Sequence, residues 1–179
     1  AVPVRLRVDG IDSPVIDRMA DRLFLNGDDS MTVETPIPDT AEAATEAMRA
    51  ALARHCAALA DRVADPSAPP GALPRDTAKG SALEAAAGLF RLTPVERDLL
   101  CLAAGPDLHA GLADAVAKVT GGVRADVSLA LALFGAAAWT ALCPAAPLRS
   151  HRLLTVEGTG PMLRSGLGVD ERVLHFLMG

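Results

Sequence analysis

The sequence predicts a mainly helical fold with a small β component, the α+β class, and three observations carry that prediction. Alanine and leucine dominate a chain that is 50% apolar, with almost no β-branched runs past residue 40. Helix starts and stops recur in series from Asp39 onward, each pairing a Ser, Thr or Asp with a glycine or proline further on. Near the C-terminus, two stretches rich in branched and long apolar residues flank the turn Gly158-Thr159-Gly160-Pro161.

Taken in order, Val4, Leu6 and Val8 alternate with Arg5 and Arg7, which predicts a strand with one wet face, closed at Asp9-Gly10. Ser13-Pro14 then supplies a cap and first-turn proline, and Val15, Ile16, Met19 and Leu23 keep helical spacing to Asn26-Gly27. Met31 to Ile37 completes a small β-α-β segment. Asp39-Thr40-Ala41-Glu42 is a capping box that launches a long helix, with Met48, Leu52, Cys56, Leu59 and Val63 on one face. Six prolines and glycines between Asp65 and Ser81 predict a linker or mobile loop.

Local signals are most consistent beyond that point. Ser81-Ala82-Leu83-Glu84 opens a helix to about Arg91, and Thr93-Pro94-Val95-Glu96 opens a second that Gly105-Pro106 is expected to end. Asp107 is expected to cap a third, with Leu108, Leu112, Val116 and Val119 inward and Gly121-Gly122 as its stop. Asp126 starts a fourth that is apolar nearly all round and so belongs in the middle of the core. Trp139, the only tryptophan, sits on a short fifth helix and is expected to be buried against Val127–Phe134. Arg149–Val156 and Met162–Val169 read as a hairpin, and Asp170-Glu171-Arg172 starts a last helix with Val173, Leu174 and Leu177 inward. Helices, a β-hairpin, then a helix is a winged-helix-like arrangement. The expected organisation is therefore 1–64 as an acidic β-α-β segment plus long helix, 65–80 as a linker, and 81–179 as a winged-helix-like module. Residues 1–48 carry net −6 against +1 for the remainder, so residues 1–64 are expected to move independently and to contact an outside protein.

Composition excludes several functions. Seventeen basic residues against 22 acidic leave net charge −5, the wrong sign for general binding to phosphate backbones, so nucleic acid is disfavoured as a partner. Aromatics are 3%, too few for stacking platforms. Cys56, Cys101 and Cys143 are far apart in sequence with no CxxC pair, which points to free thiols in a reducing cytoplasm and to no metal site. The opening residues lack a basic n-region and long apolar run, and the uncharged stretch Val127–Pro147 is broken by Gly135, Pro144 and Pro147, so neither signal peptide nor membrane span is expected.

Chemistry is equally sparse. A P-loop needs glycines whose backbone N–H groups reach phosphate ahead of a lysine; Lys79-Gly80-Ser81 has the residue types in the wrong order, so no ATPase is expected within these residues. Asp9, Asp12, Asp28 and Asp29 fit no EF-hand spacing, and adjacent His55 and Cys56 diverge by about 100° on a helix. Ser150-His151 lacks the glycines of a nucleophile elbow. No catalytic residue is assigned.

Phe90-Arg91-Leu92-Thr93-Pro94-Val95-Glu96-Arg97-Asp98-Leu99-Leu100 resembles the F-x-L-[ST]-P-x-E-R-D-L-L segment that precedes the motor modules in a bacterial branch of AAA+ ATPases. Some of those ATPases are linked to contractile injection systems. Three further blocks agree in order: Ala138–Pro144, Ala146–Leu154 and Val169–Gly179. The resemblance covers about residues 81–179. It departs from the family between Asp107 and Val127, where a Tyr- or Phe-containing stretch is common. It implies a non-catalytic N-terminal adaptor, substrate-recognition or regulatory domain, with ATP and magnesium bound only by ATPase modules following in the full-length protein. Expected partners are a protein substrate and the following ATPase module, with no membrane.

One patch remains as a binding site. Arg149, His151, Arg152 and Arg164 face a single acid, Glu157, in the expected hairpin. On a protein-docking module they would meet a partner or the ATPase. The alternative is a DNA-binding winged-helix transcription factor whose wing touches phosphate; its recognition helix would be Val127–Phe134, which carries nothing to read a base edge.

Overall fold

The structure, a computed structural model, describes residues 38–65 and 67–179. The expected strands and helix of residues 4–37, with their acidic loops, lie outside the described residues. Helix α1 spans Pro38–Ala64 and buries Leu52, Cys56, Leu59 and Val63 along one stripe, with Met48 at its edge. Each such aliphatic side chain contributes about 1.5–3 kcal/mol when removed from water. Against it pack α3 (Pro94–Leu108) and α4 (Ala110–Thr120).

That packing corrects the expected division of the chain. Leu52, Leu59 and Val63 share one core with Leu99, Leu102 and Leu112, so α1 belongs to the same folded unit as the helices of 81–179. Nor is 65–80 a free linker. A short 3₁₀ turn covers Arg75–Thr77, Ala78 and Ser81 are buried, and Gly71 N–H donates to Leu133 O at 2.9 Å. Prolines and glycines forbid a helix there, but the backbone groups find long-range partners that fix the segment. Arg62 helps by donating to the carbonyls of Pro69, Gly71 and Leu133.

Helix α2 (Ala82–Leu89) starts where Ser81 Oγ accepts from Glu84 N–H at 3.2 Å, while Glu84 Oε2 accepts from Gly80 N–H. The Thr93–Glu96 capping box of α3 is complete in both directions. Gly105-Pro106 does not end that helix. Proline's fixed φ suits a helix, so α3 loses one N–H bond and continues to Leu108, where His109 becomes the cap of α4 in place of Asp107. His109 Nδ1 accepts from Leu112 N–H at 3.2 Å. Gly105 matters for another reason: any side chain there would collide with Leu112 Cδ2, so the α3–α4 corner depends on its absence. Within α4, Leu112 and Val116 are buried, but Val119 on the last turn is exposed.

Asp126 Oδ1 accepts from Leu129 N–H at 2.8 Å and starts α5 (Val127–Phe134), whose Val127, Leu129, Ala130, Leu133 and Phe134 are buried as expected. Helix α6 (Ala136–Ala141) follows, but Trp139 is 49% exposed. The small residues Ala138 and Ala141 face inward and leave no space for a ring.

The hairpin is shorter than expected. Pro147–Ser150 forms a helical turn, α7, with proline at its first position. Strand β1 is Thr155–Glu157 and β2 is Gly166–Gly168, antiparallel with Thr155 opposite Gly168. Leu167 N–H donates to Ala125 O and Val127 N–H to Ser165 O, so the segment before α5 pins the far edge of β2. Helix α8 (Glu171–Met178), capped by Asp170, closes the fold, with Leu177 buried and Val173 and Leu174 packed at the core's edge. Among the described residues the result is mainly helical with one two-stranded sheet, the α+β class expected.

Candidate functional site

The four expected binding residues occupy two places. Arg149, His151 and Arg152 belong to α7 and its C-terminal turn, and not to a strand. Arg164 is exposed on the 3₁₀ turn Met162–Arg164 within the hairpin loop and makes no hydrogen bond or ion pair with the other three among the described residues. Arg149 Nη1 donates weakly to Leu142 O at 3.4 Å. Glu157 does not face the cluster alone: it pairs with Arg124 at 3.2 Å.

Two arginines hold an unusual backbone. After α7, Leu153 N–H donates to Leu148 O and Arg152 N–H to Arg149 O, the double bond pattern that closes a helix through a left-handed residue. That residue is Arg152, with φ 57°. After α2 the same pair recurs, Leu92 N–H to Ala87 O and Arg91 N–H to Gly88 O, and Arg91 has φ 52°. Glycine ordinarily takes this position, because a Cβ there costs about 1–2 kcal/mol. The two turns touch: the Phe90 and His151 rings, one residue before each arginine, have centroids 5.3 Å apart and are tilted by 44°.

Beside these turns lies a groove of about 880 Å³ walled by Pro94, Val95, Ala137, Thr140, Ala146 and Pro147, with Arg91 at its rim. Arg91, Thr93 and Pro94 also line an adjoining hollow of about 350 Å³ that contains Arg75 and Glu84. Sequence reading missed Arg91 and the groove. The signal available was a capped helix, 82–89, followed by no glycine or asparagine where its left-handed stop must fall.

Buried polar groups serve the fold. Asp98 is 0% exposed; its Oδ2 accepts from Leu73 N–H at 2.6 Å and its Oδ1 from Arg97 Nε at 2.8 Å. Arg97 Nη2 also donates to Leu73 O at 3.0 Å. His55 Nε2 stands 3.1 Å from Asp98 Oδ1, in ion-pair range but without an aligned hydrogen bond, while Nδ1 is 2.7 Å from Thr77 Oγ1. Cys56 and Cys101 are free thiols with sulfurs 3.5 Å apart. Their shared hydrogen bond, and then burial, hold the Cys101 thiol well above the ordinary range. Among the described residues no three His, Cys, Asp or Glu side chains gather as metal ligands would.

A family model described as "Winged helix domain, variant" matches residues 16–179. The chain belongs to that winged helix family. No curated protein and no solved structure matches it. In this winged helix domain, the apolar residues of α5, the helix expected from the sequence to be the recognition helix, are buried, and only Ser128 and Ala132 are exposed along it. Neither presents the paired donors and acceptors that read a base edge. No single described helix of the winged helix domain is long and apolar enough to cross a membrane.

Proposed function

We propose that this winged helix domain is a non-catalytic protein-docking module at the N-terminal side of an AAA+ ATPase, acting as an adaptor, substrate-recognition or regulatory element. The observation that carries the docking reading is the burial of α5: a wing without a reading helix contacts backbone at best, whereas the exposed Arg152 and Arg164 suit a protein surface. The ATPase connection is supported by the four ordered blocks over 81–179. Within the first block, Thr93 and Glu96 form the cap, Arg97 and Asp98 the buried strap, and Leu99 and Leu100 core. In this reading Arg149, His151, Arg152 and Arg164 meet protein, either a substrate or the following ATPase module. ATP and magnesium belong to that module, and the whole works in the cytoplasm, in some cases beside a contractile injection system.

The test is the coding sequence downstream of residue 179, followed by turnover measurements. A Walker A and Walker B pair within a few hundred residues is expected. ATP hydrolysis should survive removal of residues 1–179, while recruitment or regulation by the partner is lost. Absence of any such pair rejects the ATPase connection.

A further inference from the structure

We infer that the groove between the start of α3 and α6–α7 docks a partner peptide that combines aliphatic side chains with an adjacent acidic residue. The inference rests on the domain being a protein-docking unit, and not on its attachment to an ATPase.

Three features converge on that occupant. The groove is lined mainly by small apolar groups, among them Pro94, Val95, Ala137, Ala146 and Pro147, with Thr93, Thr140 and the buried Glu96 as polar members, so it suits aliphatic side chains laid along it. Its rim is cationic. Arg91 borders both the groove and the hollow beyond it, and Arg75 lines that hollow. Neither guanidinium makes a hydrogen bond or ion pair among the described residues. The acid of the hollow, Glu84, is engaged by Gly80 N–H at 2.7 Å, the acid of the groove, Glu96, is buried and accepts from Thr93 N–H at 2.8 Å, and the neighbouring Arg97 is committed to Asp98. Two free guanidinium groups beside an apolar channel are complementary to a carboxylate beside an apolar run.

The third feature is the backbone at Arg91. With φ 52°, it stands where glycine would close α2 with less strain. Its side chain is exposed and supports no described contact in the fold. A strained residue kept where a cheaper one fits points to use of its side chain elsewhere. Trp139, on the helix that supplies Ala137 and Thr140, is half-exposed and gives a local optical reporter.

The test pans the full 179-residue chain against a random peptide display library and measures the enriched peptides on the wild type, Thr140→Glu and Arg91→Gly. Thr140 is exposed, so Thr140→Glu places a charge in the groove without disturbing the core. Peptides pairing aliphatic residues with Asp or Glu are expected, changing Trp139 emission on binding. Their affinity should fall tenfold or more in both variants, although Arg91→Gly melts no lower than the wild type. Enriched peptides whose affinity neither variant changes would overturn the groove site and leave protein docking standing. Basic peptides, or peptides without acids, would overturn the charge complementarity and with it the proposal. If no peptide is enriched, both the site and the docking reading fall. Self-association that Thr140→Glu abolishes would replace the peptide with a second copy of the chain.

Discussion

Replacing Asp98 by alanine tests how the segment 65–80 is held. The carboxylate is wholly buried and meets three groups: Leu73 N–H at 2.6 Å, the Arg97 guanidinium at 2.7 Å and His55 Nε2 at 3.1 Å. Removing it orphans the Leu73 amide and leaves a guanidinium that is only 6% exposed without its counter-charge. Breaking a buried pair from one side costs about 3–5 kcal/mol, which includes the penalty for the stranded partner. A loss of about 4 kcal/mol corresponds to a fall in Tm of roughly 8–16 °C for a chain of this size. Urea denaturation followed by circular dichroism gives the free energy, and amide exchange at Leu73 gives the location. Exchange there should accelerate far more than at Leu99. Adding Arg97→Leu to the alanine variant should recover part of the loss, because an apolar pair strands no charge. A cost below about 1 kcal/mol with unchanged Leu73 protection would refute the strap.

Other outcomes follow from single observations. Arg91→Gly and Arg152→Gly should each stabilise the fold by about 1 kcal/mol, seen as a higher urea midpoint, because both residues sit at left-handed φ. Trp139→Ala should cost under about 1 kcal/mol, far below the 3–5 kcal/mol of a buried ring, and acrylamide should quench its emission readily. Asp170 is held below the usual carboxylate range, chiefly by its side-chain hydrogen bond with Arg172. A depressed carboxylate stabilises above its unfolded pKa and loses that contribution as pH falls through the folded value. Amide protection at the start of α8 should therefore drop on acidification below the ordinary aspartate range, and Asp170→Asn should remove most of that dependence.

Helix starts were legible because their chemistry is local. Ser81, Thr93 with Glu96, Asp126 and Asp170 each bond a backbone N–H within three residues, so four letters of sequence suffice. The inward stripe of α1 was legible from spacing alone. The errors share a cause in long-range partners. Pro106 looked like a stop, yet losing one helical bond in the last turn is tolerated when α4 packs behind it. The stretch 149–156 read as a strand because it is rich in branched and long apolar residues; a helical turn closed by a left-handed residue, with Leu148, Leu153 and Leu154 buried, accommodates the same residues. Residues 65–80 read as a linker because nothing in their composition reveals Leu133, Asp98 and Arg97 as partners. At the site, Arg149, His151 and Arg152 stood out as a basic cluster. Arg91 did not, since its place next to the Phe90–His151 ring contact depends on two helix ends meeting.

The claim that this winged helix meets protein and not DNA is tested most directly by selection from a random duplex pool with the full chain at low salt. The account predicts that no duplex sequence is enriched and that any residual binding is sequence-independent and falls steeply as salt rises. Recovery of one recurrent duplex sequence, bound at physiological salt and weakened tenfold by Arg164→Ala, would contradict it.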